Sequence, residues 1–245
     1  MKKPFHIGFN IAIIFMLTVL VISIYTAILQ MNFSNNMLEA AVKDHTRCSD
    51  AIHKLVSNTF TKDDYENITA VGDMSSERYR ELQKKLNELR SLNSTRYLYT
   101  AKRGDDGRLI YLIDGLDLDA DDFAFPGTYI EEEMIPYIDA ALSGKTVYSQ
   151  EIMDTTWGHI FTACYPVMAS DGSDEIIGAL CMEMDMESTY EYMKKSRDAT
   201  IKIACTAAAV TIVMIITIYL ALHKNKLKDE KQQELIRQSA IAAEA

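Results

Sequence analysis

The chain alternates between long apolar runs and short polar breaks, and its two longest apolar runs lie near its ends. Residues 7–29 and 201–222 are almost wholly hydrophobic. At about 1.5 Å per helical residue, each covers the ~30 Å hydrocarbon core of a bilayer. The first run is too long for a signal peptide and no small-x-small cleavage site follows it, which predicts an uncleaved anchor. No glycine or proline occurs between Gly8 and Gly72. The first span is therefore expected to continue as one helix to about residue 58, with Met37, Leu38, Ala41, Val42, His45, Cys48, Ile52, Leu55 and Val56 forming a core-facing stripe. Residues 60–76 read as polar and turn-like. A second helix follows Ser75-Ser76, with Tyr79, Leu82, Leu86 and Leu89 on one face, and ends near Asn93.

Strand periodicity then takes over. Residues 96–101 and 108–114 flank the turn 104–107, which has glycine at both ends, as a hairpin. An acidic loop covers 114–122, and a helical piece over 129–143 is interrupted or restarted at Pro136 and stopped by Gly144. Residues 146–152 are a third strand. Between residues 154 and 185, two apolar, aromatic-rich runs flank Asp171-Gly172, giving a long hairpin that supplies strands four and five from the middle of the sheet. Because no glycine or proline follows Gly178, the last strand is expected to pass near Ser188 into a helix that crosses the membrane and runs to the end of the chain. The expected fold is α+β: an antiparallel five-stranded sheet with a long N-terminal helix, flanked by two transmembrane helices. The boundaries read as an N-terminus at 1–6, spans at 7–29 and 201–222, a sensor-sized domain at 30–200, and a helical tail at 223–245.

Charge fixes the expected topology. Lys2 and Lys3 precede the first span, and Lys224, Lys226 and Lys228 follow the second, which places both termini in the cytoplasm. The intervening domain carries 17 basic against 31 acidic residues, a balance that excludes nucleic acid as a partner.

Cys164 and Cys181 lie on opposite arms of the hairpin; two small buried side chains is the preferred reading, with a cross-strand disulfide as the alternative. Asp117, Asp119, Asp121 and Asp122 begin like a calcium loop, but Asp122 and Thr128 occupy the positions that need glycine and glutamate, so the loop reads as solvated and no metal is expected. No nucleophile motif, phosphate loop or zinc helix is present. No catalytic residue and no cofactor is expected.

Taken in order, Tyr97-Leu98-Tyr99, the strand 107–114, Phe125-Pro126-Gly127-Thr128-Tyr129, and the closing Tyr165-Pro166, Asp171-Gly172, Ile177-Gly178 and Glu183 pattern resemble the extracytoplasmic Cache domain, the PAS-like sensor fold of bacterial membrane receptors. The tail 239–245 resembles the linker into the dimerisation helix of sensor histidine kinases. The resemblance implies a two-pass bacterial membrane receptor, homodimeric, that binds a small molecule outside and signals to a cytoplasmic output domain. A histidine kinase is the first expectation, a diguanylate cyclase the second; kinase activity is implied by the tail alone. A membrane-tethered binding protein without output is the rival reading.

For the ligand site, alternation puts Leu180, Met182 and Met184 on one face of the last strand, and Cys181, Glu183 and Asp185 on the other. By alternation alone the carboxylates face water. The resemblance instead implies that Glu183 accepts hydrogen bonds from a ligand ammonium. Trp157, His159, Phe161 and Tyr165 share a strand face, and Tyr97, Tyr111, Tyr129 and Tyr148 offer further amphipathic rings. Asp114 closes the second strand towards the same place. The candidate ligand-binding set is thus Tyr97, Tyr111, Asp114, Tyr129, Tyr148, Trp157, Phe161, Tyr165, Glu183 and Asp185, for an amine, an amino acid or an organic acid.

Overall fold

The computed structural model describes residues 3–92, 95–169 and 175–244. Asn93 and the Asp171-Gly172 loop lie outside the described residues. The elements, in order, are α1 (Lys3–Val56), α2 (Lys62–Asn67), a 3-10 turn (Val71–Ser75), α3 (Glu77–Leu92), β1 (Thr95–Arg103), β2 (Leu109–Asp114), a second 3-10 turn (Glu132–Met134), α4 (Ile135–Leu142), β3 (Val147–Tyr148), β4 (Met153–Thr155), β5 (Gly158–Met168), β6 (Ile176–Asp185) and α5 (Glu187–Glu244). They form two compact units, Asn35–Met193, and Met1–Ser34 with Lys194–Ala245.

The first unit is built on an antiparallel sheet of order β2-β1-β6-β5-β3, with β4 also pairing to β5. The sheet has six strands, not the expected five. The sixth is β4, which lies at the start of the run read as strand four and pairs back onto β5 across the turn at 156–157. The region read as a strand over 146–152 forms only β3, on the same edge of β5, and β3 stops where Ser149 Oγ accepts from the Thr162 N–H at 2.9 Å. A side chain that occupies a ladder position interrupts the strand there.

Both faces of the sheet are covered. Ile52 and Val56 of α1, Phe60, Tyr65 of α2, and Tyr79, Leu82 and Leu86 of α3 pack with Leu98, Leu112, Leu180, Met182 and Met184 on one face. Met134, Ile138 and Ala141 pack with Ala101, Cys164, Ala179 and Cys181 on the other. Double coverage explains why β2 is buried along its whole length rather than alternately.

Residues 60–76 are not simple turns. Thr61 and Asp64 form a capping box at α2: Thr61 Oγ1 accepts from the Asp64 N–H at 3.3 Å, and Asp64 Oδ2 accepts from the Thr61 N–H at 2.8 Å. Asp64 also takes two hydrogen bonds from Arg78 of α3, each 2.8 Å. Burial opposes charge on Asp64, but the Arg78 guanidinium and the Thr61 N–H outweigh it and hold the carboxyl below its ordinary range. The helical piece over 129–143 restarts at Pro136 as expected: after the 3-10 turn at Glu132–Met134, Pro136 lies in the first turn of α4, where its missing N–H is harmless.

Cys164 and Cys181 are directly opposed on β5 and β6, with Cα atoms 4.3 Å apart, and are joined as a disulfide. This corrects the preferred reading of two free buried side chains. Spacing within the sequence left both open, and the register of the two strands selects one. The bridge closes a sequence separation of 17, for which loop entropy alone gives about 3 kcal/mol.

In the second unit, α1 and α5 contain stretches long and apolar enough to cross a membrane. Ile14, Val21, Ile212 and Val213 are among their exposed side chains. The hydroxyls of Thr18, Ser23, Thr26, Thr211 and Thr217 donate to carbonyls four residues earlier, so each is satisfied within its own helix. Gln30 Nε2 donates to Ser196 Oγ at 2.7 Å, linking the two helices.

The ring of Tyr65 packs against Gly178 of β6, where an added Cβ would fall 1.9 Å from Cε1. Gly178→Ala is expected to destabilise the sheet unit by about 1–3 kcal/mol through overpacking. Gly72→Ala, with nothing within 4 Å, should stay within roughly 0.5 kcal/mol. Thermal melting of the full chain in detergent, followed by fluorescence of the single tryptophan, Trp157, checks both.

Candidate functional site

The face of the sheet towards α4 holds a small acidic cavity, and strand register explains its composition. Across antiparallel strands, directly paired residues share a face. Tyr97 pairs with Glu183, and Tyr99 pairs with both Cys181 and Asp114, so all of these project the same way. Tyr111 joins them through its pairing with Ala101. Tyr111 and Asp114 are three apart and would face opposite ways on a regular strand. A bulge at Leu112, seen as a register shift between Thr100 and Ala101, restores both to one face. Thr100 Oγ1 accepts the Ile113 N–H at 3.2 Å there.

The chain after β2 completes the wall. Asp114 Oδ1 accepts from the Leu116 N–H at 3.0 Å, and Oδ2 from the Ala124 N–H at 2.8 Å. One buried carboxylate therefore fastens both ends of the acidic loop. From outside, Gln83, Asn87 and Arg90 of α3 donate to the carbonyls of Leu116 and Gly115. Farther along, residues 127–130 run beside the free edge of β2 through Gly127 N–H to Tyr111 O at 2.9 Å, Tyr111 N–H to Thr128 O at 2.9 Å and Ile130 N–H to Leu109 O at 3.0 Å. That pairing delivers Glu131 to the cavity.

The result is a cavity of about 30 Å³ lined by Tyr97, Tyr99, Tyr111, Asp114, Asp122, Ala124, Glu131, Trp157 and Glu183. Each tyrosine hydroxyl donates to a carboxylate: Tyr99 to Glu183 Oε1 at 2.9 Å, Tyr97 to Asp122 Oδ2 at 2.7 Å, and Tyr111 to Glu131 Oε2 at 2.6 Å. Trp157, at the two-residue turn between β4 and β5, meets Tyr97 edge-on at 6.3 Å. Among the described residues, no lysine, arginine or histidine lines the cavity; Arg96 lies over the Tyr97 ring at 5.4 Å.

Burial pushes the Glu183 carboxyl up to about 7; the Tyr99 hydroxyl pulls it down, while Glu131, Asp114 and Glu133 push it further up. Burial likewise raises Asp114, to about 6, against the Ala124 and Leu116 N–H groups. With spare carboxylate lone pairs, aromatic faces and excess negative charge, such a cavity is suited to a cation that carries N–H donors.

Of the residues singled out in the sequence, Tyr97, Tyr111, Asp114, Trp157 and Glu183 converge here. Phe161 and Tyr165 lie on the opposite face of the sheet, in the core beneath α1. Tyr148 and Tyr165 both donate to Asp50 Oδ1, at 2.7 and 2.8 Å. Tyr129 is 48% exposed, stacked under Arg108 at 3.4 Å. Asp185 is exposed and accepts from the Glu187 N–H at 3.3 Å where α5 begins. The lining also includes Tyr99, Asp122, Ala124 and Glu131. Tyr99 was accessible from sequence, two residues from Tyr97 on one strand; Asp122 and Glu131 reach the cavity through loop paths that carry no periodicity.

Asp114→Ala is expected to release the loop it fastens. Amide exchange of residues 115–124 should accelerate in the full chain, with a stability loss of about 1–3 kcal/mol for the two unsatisfied N–H groups. Hydrogen-exchange mass spectrometry and thermal melting measure the two effects.

No family model and no curated protein sequence matches the chain. Solved structures with a similar trace include the ligand-binding domain of the Campylobacter jejuni chemoreceptor Tlp3 in complex with L-valine, at 11% identity and TM-score 0.45 over 79% of this chain and 68% of that one. The sensor domain of the V. cholerae histidine kinase DctB matches at 14% identity and TM-score 0.39, over 62% of this chain and 59% of that one. An extracellular ligand-binding receptor from Desulfohalobium retbaense matches at 15% identity and TM-score 0.42, over 68% of this chain and 26% of that one.

Proposed function

We propose that the chain is a membrane-bound receptor whose sheet unit binds a small organic ammonium ion. One observation carries this: four carboxylates, Asp114, Asp122, Glu131 and Glu183, line a single cavity whose lining contains no basic side chain. An anionic ligand would add like charge to that set. An amino acid would also need a cation for its own carboxylate, which the lining lacks. The ammonium reading is thus preferred over an amino acid or an organic acid.

Size refines the class. A cavity of about 30 Å³ has room for roughly two water-sized groups. That fits a primary ammonium head with its N–H donors aimed at carboxylates better than a trimethylated one. A longer ligand would displace Trp157 or the 115–124 loop.

The rest of the reading follows from chain order. Two helices apolar enough to span a membrane flank the sheet unit in sequence, and the flanking lysines orient both termini to the cytoplasm. β6 ends at Asp185 and α5 begins at Glu187, so ligand contact at Glu183 lies four residues from the helix that carries the second span. A population shift at the site would be passed to a cytoplasmic output module through that helix, with a histidine kinase as the leading candidate.

Calorimetric titration of the full chain in detergent tests the site. Methylammonium and ethanolamine should bind, tetramethylammonium far more weakly and acetate not at all. Glu183→Ala should weaken methylammonium by about 100-fold, the scale of a lost charge-assisted hydrogen bond. Preferential binding of acetate, or Glu183→Ala with unaltered affinity, overturns the reading.

A further inference from the structure

Three buried carboxylates in the sheet unit are compensated in different ways. Asp64, 6% exposed, has the Arg78 guanidinium and a backbone N–H. Asp114, 3% exposed, has two backbone N–H groups. Glu183, also 3% exposed, receives the neutral hydroxyl of Tyr99 and, among the described residues, neither a cation nor a backbone donor. The groups facing it come from every neighbouring element: Tyr97 and Tyr99 from β1, Tyr111 and Asp114 from β2, Thr162 from β5, Glu131 and Glu133 from the stretch ahead of α4, and Trp157 from the β4–β5 turn. The charged groups among them are all acidic. Ionised Glu183 would be a desolvated charge set among like charges, the arrangement in which a carboxyl keeps its proton.

We infer that Glu183 holds a proton in the empty cavity near neutral pH, and that a cationic ligand enters by exchange for it. The inference rests, in its second half, on the ammonium reading of the site. The balance is simple: one proton leaves Glu183 for solvent as one ammonium ion enters, so the net charge of the cavity is unchanged. Ligand and proton therefore compete for one carboxylate. The raised position of Glu183, about 7, sets the window. Below it the proton must be removed to bind, and affinity falls about tenfold per pH unit; above it affinity is level. Tyr99 stabilises the ionised form, so removing its hydroxyl moves the break to higher pH.

The full chain in detergent serves for two measurements. Infrared difference spectra of the ligand-free protein follow the protonated-carboxyl band with pH, and Glu183→Gln assigns it, with thermal melting as the control for folding. Methylammonium binding is measured by calorimetry between about pH 5.5 and 8.5, a range in which the amine stays charged, in two buffers of different ionisation heat. The expected result is a Glu183 band lost near neutrality, close to one proton released per ligand below that point, and an affinity break that Tyr99→Phe shifts upward. A Glu183 band lost in the range of exposed carboxylates, or methylammonium affinity that is flat across the range, overturns the inference. A band lost near neutrality with no amine bound at any pH overturns the ammonium reading and leaves the protonated Glu183 standing.

Discussion

A carboxylate buried in the central strand of a sheet covered on both sides is the constraint on which the site depends. Glu183 stands on β6, between β1 and β5, and is 3% exposed. An unpaired charge there costs several kcal/mol. The surroundings reduce that cost with tyrosine hydroxyls and leave a cavity in place of a neutralising cation. The same arrangement recurs at Asp122 and Glu131, each met by one tyrosine. A site with unspent acceptor capacity and unbalanced charge is one that a cationic ligand completes.

The cavity exists because two irregular features agree. A bulge in β2 brings Tyr111 and Asp114 to one face, and Asp114 then organises the loop that supplies Asp122 and Ala124. Helix α3 holds the start of that loop through Gln83, Asn87 and Arg90. There is little room to spare: at Gly115 an added Cβ would meet Leu98 O at 2.8 Å and Leu86 Cβ at 3.0 Å. The loop is therefore fastened from within by a carboxylate whose ionisation is itself disfavoured by burial. Occupancy of the cavity, protonation and loop order are consequently linked in one small volume.

The two faces of β6 divide structure from chemistry. Leu180, Met182 and Met184 join the core under α1, α2 and α3, while Cys181 and Glu183 face α4 and the cavity. The disulfide from Cys181 to Cys164 crosslinks β6 to β5 two residues from Glu183. It fixes the strand that carries Glu183 against its neighbour, and that strand leads into α5 after a single residue.

Periodicity within the sequence determined the two membrane-length helices, the second-face assignment of Glu183 and the strand identity of β1, β2, β5 and β6, because each is a local repeat of apolar and polar positions. It also offered Tyr97, Tyr111, Asp114 and Trp157, which meet at the cavity, whereas Glu183 entered through the resemblance to Cache domains: alternation alone turned it to water, and α4 covers that face and buries it. Alternation carried from Trp157 through Tyr165 failed because Gly158, at φ 107°, makes the hairpin turn and resets the facing; Phe161 and Tyr165 are core. Tyr148 was drawn to Asp50 on α1, a partner 98 residues away that no local pattern encodes. The shortening of 146–152 to β3, the separate strand β4, the Cys164–Cys181 pairing and the arrival of Asp122 and Glu131 were likewise decided by tertiary structure. Each depends on strand register or on a loop fastened by a buried carboxylate, and those are set by contacts between residues far apart in the chain.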